Sequence, residues 1–130
     1  MKRKIFFHYN KQEKLFYVLD NKFKFYFNEK VRGINTYSYG INKRAISLAE
    51  TYSLEKINFK KNDLFIDCGA NYGDLYFWSL IKGYKLKYIS FEPSPEEFRC
   101  INLNCKNQKN NNLALSNKNG TSNFFVKSDT

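Results

Sequence analysis

Apolar and polar positions alternate along the first part of this chain. Phe23, Phe25 and Phe27 alternate with Lys22, Lys24 and Tyr26, and aromatic runs fill 4–9 and 14–19. Period-two alternation with aromatics predicts strands, and Asp20-Asn21 predicts a turn. Residues 4–28 therefore read as an antiparallel meander. Residues 29–40 contain Gly33 and Gly40 with few apolar positions, and read as a connecting loop. The period then changes. Ala45, Ile46, Leu48, Ala49 and Tyr52 recur at helical spacing, so a helix is expected over 42–56, with a break near Ser53.

From residue 64 the pattern alternates between short apolar runs and helical stretches. Leu64–Asp67 predicts a strand, 74–82 a helix ended by Gly83, and 84–91 a second strand. Pro95-Glu96-Glu97 opens a helix to about Cys105, with proline in its first turn and acids at its positive end. Lys106–Asn112 reads as a polar loop, and Leu113-Ala114-Leu115 as a third strand. Asn119-Gly120 predicts a hairpin returning through a strand at 122–127. Strand, helix, strand, helix, strand predicts parallel βαβ units, with ligand binding outside the carboxyl ends of the strands.

Composition narrows the classes. One chain of 130 residues is one ordinary domain's length. The expected division is an N-terminal meander and loop over 1–40 and an incomplete Rossmann-like unit over 41–130. No stretch reaches the roughly 18 apolar residues of a membrane span. The basic start, Met1-Lys2-Arg3-Lys4, leads into an apolar run far shorter than the about 7–15 residues of a signal peptide. A cytoplasmic location is expected. The net charge of +10 invites a nucleic-acid partner. The lysines are scattered, however, and accompany many Asn, Ile, Phe and Tyr residues, as A/T-rich coding produces. No nucleic-acid partner is expected. Cys68, Cys100 and Cys105 form no C-x-x-C pair and read as reduced thiols. His8 is the only histidine, so no metal site is expected.

The candidate chemistry lies in Asp67-Cys68-Gly69-Ala70-Asn71-Tyr72-Gly73 and in Glu92, at the end of the next apolar run. Glycines let a backbone approach a ligand, and asparagine can take a left-handed conformation in a glycine's stead. The pattern is not G-x-G-x-x-G, and Asp67 before the turn would repel a pyrophosphate. A carboxylate there suits a cation such as an α-ammonium. Glu92 suits the hydroxyls of a ribose. A ligand with an ammonium and a ribose but no phosphate is S-adenosylmethionine. The plainer alternatives are that Asp67 caps a turn and that Glu92 pairs with a lysine. Asp74 reads as a helix-terminus acid, and Tyr76, Phe77 and Trp78 as core.

These residues resemble a family. Asp67–Gly73 is similar to the D-x-G-A-N-x-G motif of FkbM-type methyltransferases. Phe91-Glu92-Pro93-Ser94-Pro95 resembles their F-E-P-x-P motif. Asn112-Leu113-Ala114-Leu115-Ser116, with Gly120 and Phe124-Phe125, is similar to their N-x-A-L-S…G…F segment. Arg44…Tyr52 is a looser echo. The resemblance implies the N-terminal half of a Rossmann-like, class I methyltransferase sheet, preceded by the meander. It implies S-adenosylmethionine as cofactor and a hydroxyl-bearing acceptor, a sugar or other small molecule or glycan. Position by position, Asp67, Gly69, Ala70, Asn71 and Gly73 would shape the methionine side. Glu92 would bind the ribose, and Pro93, Ser94, Ala114 and Leu115 would lie near adenine. No general base is identified. The family's sheet has more strands than this chain supplies, so a fragment that is inactive alone is expected. The other readings are an NAD- or nucleotide-binding Rossmann domain and a non-catalytic binding fragment.

Overall fold

The computed structural model describes residues 4–125. The basic start Met1–Arg3 and the end of the expected 122–127 strand lie outside the described residues. The meander is present as β1 (Ile5–Asn10), β2 (Leu15–Asp20) and β3 (Phe23–Phe27), paired antiparallel in that order. The β2–β3 turn is at Asn21-Lys22, one residue later than expected, with Asn21 at φ 57°. Asp20 instead pairs within the sheet and is fully buried, where its Oδ2 accepts from Ile41 N at 2.9 Å. That bond satisfies an otherwise uncapped donor at the next-but-one helix, whose preceding residue, Gly40, has no side chain to offer.

The expected loop at 29–40 is corrected. Lys30–Tyr37 forms a helix, α1. Glu29 accepts from the backbone N–H groups of Val31 and Arg32, an effective cap. Gly33 is not a breaker here: a Cβ at that position would meet the Phe27 ring at 2.0 Å, so glycine lets the helix lie against β3. Tyr37, one turn on, packs on Phe25 and Phe27. Helix α2 follows at Ile41–Thr51, and the expected break occurs at Ser53, in the left-handed region, before a 3-10 turn at Leu54–Lys56.

The second sheet is parallel, in the order β4 (Leu64–Cys68), β5 (Lys87–Phe91), β6 (Lys109–Asn111). Helices α3 (Asp74–Ile81) and α4 (Pro95–Asn104) make the crossovers. Strand β5 starts three residues later than expected. Tyr84 is drawn instead onto Trp78 and Phe59, at ring separations of 5.5 and 5.2 Å.

The third strand is also corrected. It lies in the supposed polar loop, not at 113–115. Asparagines form it because β5 satisfies their amides. Ser90 Oγ donates to Asn110 Oδ1 at 2.7 Å, and Asn111 Nδ2 donates to the Ser90 carbonyl at 3.0 Å. Leu113, Ala114 and Leu115 are exposed and outside any strand, as are 122–125. The described residues are thus α/β, with one antiparallel and one parallel sheet of three strands each.

One buried cluster joins the two sheets. It includes Val18, Phe25 and Phe27 of the meander, Tyr37 and Ala45 of the first helices, and Phe77 and Trp78 of α3. Asn104 adds a polar tie. Its Oδ1 accepts from Tyr26 N at 2.7 Å, and its Nδ2 donates to the Tyr26 and Tyr72 carbonyls at 2.9 and 2.8 Å. The side-chain amide thereby completes the backbone bonding of the β3 edge and anchors the loop before α3.

Candidate functional site

The loop between β4 and α3 is held to the end of β5. Gly69 N and Ala70 N both donate to the Phe91 carbonyl, at 2.8 and 3.1 Å. Three residues supply left-handed backbone: Gly69 at φ 75°, Asn71 at φ 52° and Gly73 at φ 93°. The two glycines differ in surroundings. A Cβ on Gly73 would lie 2.3 Å from Cys105 Sγ and 3.2 Å from Ile101 Cγ1. A Cβ on Gly69 would meet nothing within 4 Å. Gly73 is therefore pressed against α4, whereas Gly69 presents bare backbone to open space, where a ligand can approach.

Glu92 joins the two loops. Its Oε2 accepts from Asn71 N at 2.8 Å and its Oε1 from Ser94 N at 2.9 Å. The residue is buried. Its partners are these backbone donors rather than a lysine. A carboxylate offers about four acceptor sites, so two such bonds leave capacity for a diol. Asn112 closes the other side, donating through Nδ2 to the Glu92 and Pro93 carbonyls at 2.8 and 3.0 Å. The segment carrying Ala114 therefore leaves the sheet beside Pro93, although Ala114 itself is exposed and past the end of β6. Ser94 N-caps α4 in position, and its hydroxyl donates to Glu97.

Asp67 is buried beneath the loop and accepts from Tyr88 Oη at 2.6 Å. Burial raises its carboxyl above the ordinary range, the Tyr88 bond opposes this, and the Glu92 charge adds to it. Among the described residues neither Asp67 nor Glu92 makes an ion pair. Two hydrogen-bonded carboxylates with no cation partner among the described residues would suit a ligand bearing positive charge.

Asp74, the first residue of α3, is more than a terminus acid. It is buried, and Tyr37 Oη lies 3.0 and 3.2 Å from its two oxygens. Arg44 Nε is 3.9 Å away, close enough to attract but too long for a hydrogen bond. Burial pushes the Asp74 carboxyl up to about 6, with Arg44 and Tyr37 pulling it back. The folded chain thus binds this proton more readily than the unfolded chain. The stability Asp74 contributes is full below the ordinary carboxylate range and is lost as pH rises through about 6. That rise is worth roughly 3 kcal/mol. Urea unfolding should show the wild-type advantage over Asp74→Asn shrinking by about that amount between about pH 3 and pH 7. A difference that stays constant with pH would contradict this coupling.

Sequence reasoning missed Arg32, on the element mistaken for a loop. Its Nη2 donates to Asn71 Oδ1 at 3.0 Å and approaches Glu97 at 3.4 Å, and its guanidinium lies over the Tyr72 ring at 5.0 Å. Asn112 was missed as a tie, although it opens the Asn112–Ser116 motif. His8 stacks on Tyr17 in the meander at 5.1 Å. Cys68 is exposed, Cys100 and Cys105 are buried, and all three are free thiols.

These features define an α/β protein whose open glycine loop follows the first strand of a parallel sheet and is tied to an acid just past the second. Residues 67–130 match the methyltransferase FkbM domain, which confirms the resemblance carried by the three motifs over that stretch. The match supports a methyltransferase in general. No curated protein and no solved structure matches the chain significantly. No helix among the described residues is long and apolar enough to cross a membrane.

Proposed function

We propose that the chain is the cofactor-binding part of an S-adenosylmethionine-dependent methyltransferase with a partial Rossmann-like fold. The observation that carries the reading is the pair of buried carboxylates next to the open backbone at Gly69: Asp67, just before it in the chain, and Glu92, bonded to the Asn71 N–H just after it. Asp67 suits the ammonium of the methionine moiety, and neutralising it relieves a carboxyl that burial and Glu92 disfavour as an anion. Glu92, already oriented by two backbone donors, suits the ribose hydroxyls. Gly69, Ala70 and Asn71 form the surface on which the cofactor lies, and Gly73 lets that surface meet α4. Pro93, Ser94 and Ala114 border the adenine.

When bound, S-adenosylmethionine supplies an electrophilic methyl group on sulfur. The part of these residues is to bind and orient it and to exclude water from it. The family resemblance points to a hydroxyl oxygen of a sugar, other small molecule or glycan as acceptor. A nucleotide carrying a pyrophosphate fits less well, because two carboxylates, Asp67 before the turn and Glu92 bonded to it, would repel it. Titration calorimetry with S-adenosylmethionine and, separately, NAD tests the reading.

A further inference from the structure

Arg32 lies outside residues 67–130, which the family match covers, yet it reaches the centre of the loop. Its side chain is 43% exposed and makes three different contacts there: Asn71 Oδ1, Glu97 and the face of Tyr72. Asn71 is a non-glycine residue in the left-handed region, a conformation that surrounding structure must hold in place. The bond from Arg32 holds its side chain. Its backbone N–H in turn donates to Glu92 Oε2 at 2.8 Å. The chain of contacts runs guanidinium, asparagine amide, backbone N–H, carboxylate.

We propose that Arg32 is a positioning residue for the ribose subsite, fixing the Glu92 carboxylate through Asn71. The inference rests on the cofactor reading above. In this arrangement Arg32 touches no ligand. It keeps the Asn71 N–H aimed at one oxygen of Glu92, so that the remaining acceptor sites of the carboxylate face the diol. Without the guanidinium, the Asn71 amide loses its partner and the loop can leave the left-handed conformation. Glu92 then keeps its bond from Ser94 but loses its fixed orientation.

The prediction is specific to the sugar hydroxyls, which separates positioning from general support of the fold. Calorimetric titration should compare S-adenosylhomocysteine with its 2′-deoxy analogue. The wild-type chain should favour the hydroxylated ligand by about tenfold, the effect of one hydrogen bond to a charged group. Arg32→Ala should weaken S-adenosylhomocysteine by about the same factor and leave the 2′-deoxy analogue nearly unchanged, so the preference collapses towards one. Asn71→Gly can adopt the left-handed backbone but offers no amide by which Arg32 can hold it there, and should collapse the preference in the same way. An equal loss for both ligands, or an unchanged preference in both variants, would overturn the role of Arg32. Failure of the wild-type chain to bind S-adenosylhomocysteine would instead sink the cofactor reading.

Discussion

Replacing Gly73 with alanine should destabilise the chain by roughly 2–5 kcal/mol, combining left-handed strain with overpacking. The backbone at Gly73 has φ 93°, and the added Cβ would fall 2.3 Å from Cys105 Sγ. Cys105 is fully buried and cannot easily retreat, and Ile101 stands 3.2 Å from the same point. The same substitution at Gly69 is the control. It carries the left-handed strain, about 1 kcal/mol or somewhat more, without any clash. Urea unfolding of the two variants should therefore rank Gly73→Ala well below Gly69→Ala. Equal stabilities would show that the contact with α4 contributes nothing.

Truncation of Glu92 should have an effect of similar size by a different route. Its two oxygens satisfy Asn71 N and Ser94 N in a buried position. Glu92→Ala leaves both donors without an acceptor, at about 1–3 kcal/mol each. The expected loss is roughly 2–5 kcal/mol in unfolding free energy, together with loosening of the Asn71 end of the β4–α3 loop, which the Gly69 and Ala70 bonds to the Phe91 carbonyl still hold. Hydrogen exchange at the Asn71 and Ser94 amides should rise in step. Glu92→Gln keeps one acceptor oxygen and should lose about half as much. Full stability in Glu92→Ala would mean that the carboxylate is not the link between the loops.

Much of this architecture could be read from residue patterns, and the exceptions have physical causes. The meander follows from alternating aromatics, α3 from the stretch that Gly83 ends, and α4 from Pro95 and the acids of its first turn. Helix α1 was hidden because glycine usually signals a break, whereas Gly33 is there to admit the Phe27 ring. Strand β6 was hidden because it is asparagine-rich. Its side-chain amides bond to β5, so polarity does not expel it from the sheet. The apolar run at 113–115 misled for the opposite reason, since Leu113 and Leu115 are 59% and 55% exposed. In the site, Asp67, the glycines, Asn71 and Glu92 were legible because their order along the chain mirrors strand ends and a turn. Arg32 was not, because only the tertiary fold carries α1 to the loop.

The central claim is that the loop and its two carboxylates hold a cationic adenosyl ligand. Calorimetric titration of the chain with S-adenosylmethionine, beside an identical titration with NAD, tests it most directly. Saturable heat with S-adenosylmethionine and none with NAD is expected. Saturable heat with NAD alone would contradict it.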